Sequence, residues 1–462
     1  MKRFVYTLMA IALMLSLSLP AQTSAAPSLL ADPITFTILH TNDFHGNLEP
    51  AGSNPGAARV AQKVVDVRTA VGAGNVLLLD GGDIMQSTLL SNLQKGLPTI
   101  DYYKQIGYDA AVFGNHEFDW GKSVLAQRAL QAGNAALPGD TFPFVMANLV
   151  TKVGDSCAGW DRPVLTDTVT STDYTVPAYT ILDVAGGAVQ VGVIGVGSVE
   201  TPYITIADAT AGLCFKDPAD SIVHYYDEMI AAGADVMVVL SHNGFEDGGY
   251  GYGFTVYGDK TLAAKLNTAN KPVNLIIGGH SHTNLTAATV VGNTTVVQAY
   301  YAGRRVGRAN VTYNPDTHAV SVVWAPIVVG TSDPQYQPIT DLVASYVNDP
   351  AYQALINTPV GYTQVDLKRN YDGDDMMGNF IQDALYNQLN SDAFAENDVD
   401  MVFNNPGGIR TDWCKVSGAC VDGLLTEPFL LNYGMMYSIL PFGNATAVGT
   451  MTGAQIIDLL NQ

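Results

Sequence analysis

The sequence is poor in basic residues and in cysteine, and it has no long apolar run after its first twenty or so residues. Lys and Arg together number 22 against 43 Asp and Glu over 462 residues, so the formal net charge is −21. So acidic a chain repels nucleic-acid polymers and does not steer anions toward its surface, which argues against a nucleic-acid partner. An anionic substrate would need local positive charge from metal ions or a few arginines.

The beginning of the chain has the features of a secretory signal peptide. Two basic residues precede the apolar run Phe4–Leu19, and the small residues of "AQTSAAPS" follow it. Cleavage is expected near Ala25 or Ala26, so we take residues 1–26 as the removed segment. A membrane anchor is the alternative, although the run is short for a span. The mature protein is expected to be periplasmic or extracellular, with no membrane contact after cleavage.

Four cysteines in an exported chain indicate disulfide bonds. Cys414 and Cys420 are close in sequence, which favours their pairing and leaves Cys157 with Cys214. Four cysteines allow three pairings, so the sequence leaves the connectivity open.

Short apolar, β-rich runs alternate along the chain with segments of helical spacing, such as Ala57–Ala70 and Asp220–Ala232. This alternation predicts an α/β fold with largely parallel or mixed sheets covered by helices. In such folds, groups at the carboxyl ends of strands converge on one crevice.

Five of the apolar runs end at polar residues that can bind metal. The runs are "FTILH", "NVLLLD", "DAAVFG", "VMVVLSH" and "VNLIIGGHSH", and the candidate ligands at their ends are Asp43, His45, Asp83, Asn115, His242, His280 and His282, with His116 beside them. Any one of these residues could be a loop histidine or a turn cap. However, five of the eight histidines lie in these clusters, and only His40, His224 and His318 do not, so we take those three as structural or surface residues.

Asp, His and Asn ligands without thiolate suit a hard-to-borderline divalent ion in an open site. Seven ligands are too many for one such ion, but they suffice for two ions that share a bridging carboxylate at a spacing of about 3.5–4 Å. Two ions at this spacing typically clamp the attacking and leaving oxygens of a displacement at phosphorus.

The ordered motifs "TNDFHG", "GGD", "GNHEFDWG", "SHNG" and "GGHSH" resemble the calcineurin-like metallophosphoesterase domain. More narrowly, they resemble the secreted 5'-nucleotidase family, which includes the periplasmic UDP-sugar hydrolases. "MGNFIQDAL", "NNPGGIR" and "LPFGN" are similar to segments of that family's C-terminal nucleotide-binding domain. The resemblance implies a four-layer α/β/β/α sandwich followed by a smaller α/β domain.

The resemblance also implies roles for matching residues and two divalent metal ions, such as Zn, Mn or Mg. The first ion would be held by Asp43, His45 and His282, the second by Asn115, His242 and His280, and Asp83 would bridge them. The position of His282 varies in the family. His116 matches the catalytic histidine, and Asp119 matches the acid that orients it, a spacing that also brings two side chains together on a helical turn. An ordinary acid in a first helical turn is the alternative for Asp119.

The resemblance divides the chain into a metallophosphoesterase domain at 34–330, a linker with a helix at 331–358, and a nucleotide-binding domain at 359–462. Helical spacing over Ile339–Leu355 supports the linker. In the second domain, Asn405, Arg410 and Phe442 match positions that bind the nucleoside and phosphates. Arg369 fits a second phosphate contact only loosely, and a core position is the alternative for Phe442.

The last segment, "TGAQIIDLLNQ", predicts a helix with an apolar face that little following chain can cover. The family's later strands, which carry a second aromatic for the base, have no matching segment. We therefore expect an incomplete second domain and poor handling of AMP, with a genuinely shortened domain as the alternative.

These patterns predict an exported phosphohydrolase that releases phosphate from nucleoside 5'-monophosphates and splits UDP-sugars or related nucleotide diphosphates. Alternatives on the same scaffold are a 2',3'-cyclic-nucleotide phosphodiesterase and a sulfur-oxidation hydrolase. A non-catalytic secreted nucleotide-binding protein is the alternative from another class. The oligomeric state is not readable from the sequence.

Overall fold

Two β-sheets, each with helices on its outer side, make up the larger part of the chain. The computed structural model describes residues 31–461 except 155, 249–253, 371, 372, 392, 394–397, 417, 418 and 445. The predicted signal peptide at 1–26 lies outside these residues. No helix among the described residues is both long and apolar enough to span a membrane.

The first sheet contains the N-terminal strands and closes with strands from much later in the chain. Its spatial order is Ala319–Trp324, Arg305–Asn314, Ile34–Thr41, Val76–Asp80, Ala110–Val112 and Phe144–Val145, with Ile327–Val328 also paired to Arg305–Asn314. The last four strands of this order run parallel, and Arg305–Asn314 joins them antiparallel.

The second sheet has a parallel centre and antiparallel edges. Its order is Thr289–Val291, Thr294–Gln298, Leu275–Gly278, Val236–His242, Val189–Gly197 and Tyr179–Val184. The central strands are buried almost throughout, as parallel strands covered on both faces must be. Two small antiparallel pairs, Leu149–Thr151 with Leu213–Phe215 and Val164–Asp167 with Thr172–Thr175, complete this part of the fold.

The helices form the outer layers on both sheets. In chain order these helices are Ala57–Val71, Leu89–Leu93, Leu97–Ile106, Lys122–Ala132, Thr201–Ile204, Ala207–Thr210, Pro218–Ala231 and Asp259–Thr268. Short 3-10 turns lie at Ala73–Asn75, His116–Phe118, Ala185–Gly187 and Pro406–Gly408. One apolar core is shared by the inner faces of the two sheets, and a second lies between the second sheet and its helices. The predicted four-layer α/β/β/α arrangement is confirmed, as are the two predicted helices to within two residues at each end.

The linker differs from its predicted form. It contains two helices, Gln337–Val347 and Pro350–Ile356, where the apolar spacing predicts one. The break falls before Pro350, because a proline lacks the N–H that a continuing helix needs and its ring clashes with the preceding turn. Asp349 restarts the helix as its cap by accepting hydrogen bonds from the backbone N–H groups of Ala351 and Tyr352.

The C-terminal part is a small α/β unit with a core of its own around Trp413. The strands Pro359–Val365 and Leu424–Asn432 pair antiparallel, and the helices are Met376–Leu389, Tyr433–Ile439 and Gly453–Leu460. The last of these confirms the helix expected from the sequence, and its apolar side chains Ile457 and Leu460 are exposed. Both suggested disulfides, Cys157–Cys214 and Cys414–Cys420, are confirmed.

Candidate two-metal site

The seven predicted ligands lie together where the two sheets meet. Each lies at or just after the carboxyl end of one of five strands, three from the first sheet and two from the second: Ile34–Thr41, Val76–Asp80, Ala110–Val112, Val236–His242 and Leu275–Gly278. Five of the ligand residues adopt positive φ angles of 50–72°, namely Asp43, His45, Asp83, His280 and His282. Such backbone is uncommon outside glycine and is typical of functional sites that the surrounding fold holds in place.

Asp43, His45 and His282 form the first of two Asp/His clusters whose ligand atoms lie within 4.8 Å of one another. The Nε2 atoms of the two histidines are 3.1 Å apart, and His282 Nε2 lies 3.5 Å from Asp43 Oδ1. Asp43 is fully buried, and its carboxylate accepts hydrogen bonds from the Asn42 side chain and the His280 backbone N–H.

Asp83, His242 and His280 form the second cluster. His242 Nε2 lies 3.0 Å from Asp83 Oδ2, and His280 Nδ1 lies 3.0 Å from Asn115 Oδ1. Asp83 Oδ2 is also 3.9 Å from His45 Nε2 in the first cluster. One carboxylate therefore faces both clusters, as a bridging ligand must.

His45 and His242 each form a hydrogen bond through the ring nitrogen that points away from the clusters. This bond determines which nitrogen of the ring carries the proton. His45 Nδ1 donates to the carbonyl of Gln86 at 2.9 Å, and His242 Nδ1 donates to the carbonyl of Gly81 at 2.7 Å. In the neutral rings, each Nε2 then presents a lone pair to the site. His242 Nε2 is buried, and its approach to Asp83 lacks hydrogen-bond geometry. Two electron-rich atoms this close need a proton or a metal ion between them, and Asp, His and Asn donors without thiolate fit divalent metal ions.

The titration of these groups supports the same conclusion. Burial opposes a charge on His242, but the adjacent Asp83 carboxylate outweighs it and raises the pKa of His242 to about 10. A position that holds a proton so strongly is one where a divalent ion can replace it. Burial lowers the pKa of His45 well below its ordinary value, which keeps this ring neutral and able to bind metal. Burial also raises the pKa of Asp43 to about 7 despite its hydrogen bonds.

His116 and Asp119 form a hydrogen-bonded pair beside the clusters. His116 Nδ1 lies 2.6 Å from Asp119 Oδ2, and Thr205 Oγ1 donates to Asp119 Oδ1 at 2.8 Å. Burial opposes a charge on His116, but the carboxylates of Asp83 and Asp119 outweigh it and raise the pKa of His116. A protonated imidazole is therefore available at the edge of the site.

Glu117 holds the ligand loops, and it was not predicted from the sequence. Its buried carboxylate accepts four backbone hydrogen bonds, from Gly114, Asp83, Ile84 and Met85, at 2.7–3.2 Å. These bonds join the loops that carry Asp83 and Asn115. The sequence holds one indication that Glu117 matters: it stands inside the motif "GNHEFDWG", between His116 and Asp119.

Gly114 shows how little space the loops leave. A Cβ atom at this position would lie 2.1 Å from Asp83 Oδ1. The glycine before Asn115 therefore lets the backbone pass directly beneath the bridging carboxylate.

Residues of the C-terminal unit reach the site. The Phe442 ring stacks on His116 with centroids 4.8 Å apart, and the Arg410 guanidinium lies 5.1 Å from the Phe442 centroid. The positive charge of Arg410 is close enough to lower the pKa of both His45 and His282, in each case after the larger effect of burial. The Asn92 side chain joins the two parts of the chain by donating to the Tyr437 hydroxyl and the Pro441 carbonyl.

The other two predicted substrate residues lie in different clefts. Asn405 and Phe442 both line a cleft of about 900 Å³ in the C-terminal unit. Arg369 lines a separate cleft of about 480 Å³, and its guanidinium donates to the Ile409 carbonyl at 2.8 Å. The structure brings Arg369 close to Tyr301 rather than into the cleft of Asn405.

The three histidines set aside in the sequence lie outside both clusters, as expected. His40 is buried and stacks on Trp324, exposed His224 stacks on Trp160, and His318 contacts the Tyr313 hydroxyl.

The calcineurin-like phosphoesterase family model matches residues 36–284, which contain all seven candidate ligands. The chain belongs to the calcineurin-like phosphoesterase family. The model of the 5'-nucleotidase C-terminal domain matches residues 354–462. Members of this family use two divalent metal ions, which agrees with the two clusters. The chain is a metal-dependent phosphoric-ester hydrolase of the nucleotide-hydrolysing kind.

Individual proteins agree with this assignment. A 5'-nucleotidase of Diplobatis ommata is 29% identical over 449 residues, covering 90% of this chain and 68% of that protein. A snake venom 5'-nucleotidase of Gloydius brevicauda is 28% identical over 457 residues, covering 91% and 68%. The crystal structure of a 5'-nucleotidase precursor from Thermus thermophilus is similar with a TM-score of 0.65 and 27% identity, covering 89% of this chain and 74% of that one.

Proposed function

We propose that this chain is an exported two-metal phosphohydrolase that releases phosphate from nucleoside 5'-monophosphates. The observation that carries the proposal is the pair of clusters facing one carboxylate, Asp83, with Phe442 of the C-terminal unit stacked on His116 beside them and Arg410 next to Phe442. A phosphate at the clusters would have its nucleoside on the side of the C-terminal unit.

The first cluster, with Asp43, His45 and His282, would hold one divalent ion, and Asn115, His242 and His280 would hold the other, with Asp83 between them. When bound, two such ions polarise the phosphoryl oxygens and lower the pKa of an attacking water. The chain contributes fixed ligand loops, because Glu117 and the far-side hydrogen bonds of His45 and His242 hold the rings in place.

His116 would act on the phosphoryl group or on the leaving oxygen. Held by Asp119 and kept protonated by the surrounding carboxylates, its imidazolium can donate a hydrogen bond as negative charge develops there. The alternative for Asp119, a plain first-turn acid, is disfavoured by its 2.6 Å contact with His116 Nδ1.

The C-terminal unit would bind the rest of the nucleotide. Arg410 can form a two-pronged contact with phosphate oxygens, Phe442 can stack on a base, and Asn405 lines the same cleft as Phe442. UDP-sugars and other nucleotide diphosphates form the second substrate class in this proposal. The proposed location is the periplasm or the cell exterior, supported by the signal-peptide pattern of residues 1–26.

A substrate panel tests the proposal. AMP, UMP, UDP-glucose, 2',3'-cyclic nucleotides and bis-p-nitrophenyl phosphate would each be incubated with the purified protein, before and after metal removal by chelation. We expect phosphate release from the 5'-monophosphates, its loss on metal removal and its return on addition of Mn²⁺ or Zn²⁺. Turnover that survives thorough metal removal would exclude the two-metal mechanism. Preference for cyclic nucleotides would instead favour a phosphodiesterase, and binding without turnover a binding protein.

A further inference from the structure

Glu200 contacts the ring of His280 on the side away from Asn115. His280 Nε2 lies 2.8 Å from Glu200 Oε1, while the other ring nitrogen, Nδ1, lies 3.0 Å from Asn115 Oδ1. Glu200 is only 3% exposed, and its second oxygen, Oε2, is buried with no hydrogen-bond partner among the residues described. Carboxylates this deeply buried are rare unless another group requires their charge.

The backbone around Glu200 fixes the position of its carboxylate. Glu200 follows the strand Val189–Gly197, and its backbone N–H donates to the Ser198 hydroxyl. Its own carbonyl accepts a hydrogen bond from the Tyr203 N–H at 2.7 Å, at the start of the helix Thr201–Ile204. The carboxylate is therefore presented from a short, hydrogen-bonded turn at the end of a sixth strand.

His280 differs from the other two histidines whose far-side contacts are defined. His45 and His242 donate to backbone carbonyls, of Gln86 and Gly81, which carry only a partial charge. The partner of His280 is a full carboxylate. A proton on Nε2 donates to that carboxylate and leaves Nδ1 with a lone pair, which faces the electron-rich Asn115 Oδ1. In that form the 3.0 Å contact between Nδ1 and Asn115 Oδ1 is not a hydrogen bond, and a metal ion between the two atoms would be bound by both.

We propose that Glu200 is a positioning residue for His280. It holds the ring in the Nε2–H form, so that Nδ1 faces the second ion, and its negative charge strengthens the ring as a ligand. This inference rests on the proposed role of His280 as a metal ligand. It assigns no contact between Glu200 and the substrate.

The competing explanation is an ordinary ion pair between Glu200 and a doubly protonated His280. In that case the ring would have no lone pair for metal, and loss of Glu200 would free it. The two explanations predict opposite changes in metal affinity.

Metal binding tests the inference without any substrate. Metal-free wild type, Glu200→Gln and Glu200→Ala would be titrated with Zn²⁺ in competition with a chromogenic chelator. We expect affinity for one of the two ions to fall by roughly 10- to 100-fold in both variants. Asn115→Ala, which removes a proposed ligand of the second ion, identifies the affected ion. Because both residues act on that ion, the double variant Glu200→Gln/Asn115→Ala should lose less than the two single effects combined.

A matched control is Glu228→Gln. Glu228 is also hydrogen-bonded, to the Tyr179 hydroxyl at 2.7 Å, but it lies on the outer helix Pro218–Ala231. Both zinc affinities should stay at the wild-type values in this variant. Unchanged or tighter zinc binding in the Glu200 variants would overturn the inference. So would equal weakening of both ions together with a lower unfolding temperature of the metal-free protein, since that would indicate a structural role.

The protonation form of His280 gives a second readout if Glu200→Ala fails to fold. Long-range ¹⁵N–¹H correlation spectra of the metal-free, ¹⁵N-histidine-labelled protein distinguish the two neutral forms of the ring, and His280→Asn assigns its signals. We expect the Nε2–H form in wild type and a shift toward the Nδ1–H form in Glu200→Gln. A doubly protonated ring in wild type at neutral pH would support the ion pair instead. A chain that passes these tests but hydrolyses no nucleotide would refute the proposed function and leave the role of Glu200 intact.

Discussion

The ring of Phe442 lies flat on the ring of His116, with centroids 4.8 Å apart and planes 11° from parallel. The two residues belong to different parts of the chain, so this contact joins the C-terminal unit to the proposed acid of the catalytic site. The separation corresponds to direct ring stacking and leaves no room for a base between the two rings. A base can therefore stack on this face of Phe442 only after the Phe442 ring has moved away from His116.

Replacing Phe442 should affect nucleotides and spare small esters. In Phe442→Ala we expect KM for AMP to rise by roughly 5- to 150-fold, which corresponds to ~1–3 kcal/mol of stacking. Hydrolysis of bis-p-nitrophenyl phosphate, which carries no base, should change little. Steady-state kinetics on both substrates, with Phe442→Tyr as the control that keeps a ring, checks this. Equal losses on the two substrates would show that Phe442 acts through His116 instead.

Replacing His116 should separate chemistry from metal binding. His116→Ala is expected to lower kcat by roughly 10²–10⁴-fold, the usual contribution of a positioned acid or base. Its ring nitrogens belong to neither metal cluster, so two ions per chain should remain. Measuring the metal content of the variant together with its kinetics distinguishes a catalytic role of His116 from a role as metal ligand. An empty metal position in this variant would move His116 from the proposed acid to the ligands.

Replacing the bridging carboxylate, unlike replacing His116, should reduce metal binding. Asp83→Asn is expected to weaken both metal positions, because Asp83 Oδ2 faces His242 at 3.0 Å and His45 at 3.9 Å. Metal content after dialysis against a weak chelator would fall below that of Asn115→Ala, which affects one position. Retention of one tightly bound ion would show that Asp83 does not bridge.

Asp119 should set the alkaline limit of activity. The Asp83 and Asp119 carboxylates raise the pKa of His116 against the opposing effect of burial, so its protonated form persists to higher pH than that of a free histidine. In Asp119→Asn one of these contributions is lost and the pKa falls. Activity that depends on protonated His116 should then decline at lower pH than in wild type. The profile of kcat against pH measures the shift, and an unchanged alkaline limb would exclude His116 as the proton donor.

Asn92 tests whether its hydrogen bonds hold the C-terminal unit against the two-sheet part of the chain. Its buried amide donates to the Tyr437 hydroxyl at 2.8 Å and to the Pro441 carbonyl at 2.9 Å. Asn92→Leu removes both bonds. The Pro441 carbonyl then keeps only its hydrogen bond from the Tyr437 hydroxyl, at 3.2 Å. We expect a larger radius of gyration in small-angle scattering and a higher KM for AMP, with bis-p-nitrophenyl phosphate hydrolysis unaffected. Identical scattering would mean that other contacts hold the two parts together.

The metal ligands could be predicted because strand ends are readable in the sequence. Asp43 and His242 follow apolar runs whose ends must meet at one edge, whatever the details of packing. Glu200 also follows a strand, but a lone acid three residues past its end is indistinguishable from a turn residue until the neighbouring His280 is known. Its partner is 80 positions away, and no local pattern connects the two.

The contact between Phe442 and His116 could not be predicted for a different reason. It depends on how one part of the chain sits on the other, which is set by the linker and by side chains such as Asn92. The linker itself was only partly predicted, because apolar spacing continues across Pro350 while the helix does not.

The site draws its ligands from two sheets that are formed by distant parts of the chain. The Asp43 carboxylate and the His280 backbone N–H that it accepts from are 237 positions apart. During synthesis, Asp43, His45, Asp83 and Asn115 leave the ribosome long before the three remaining histidines. A nascent or cleaved chain that ends before Val236 therefore lacks His242, His280 and His282 and should bind metal weakly. Full metal affinity should thus require that the ligand-bearing strands of both sheets have been made and joined, so metal content can serve as a measure of correct assembly.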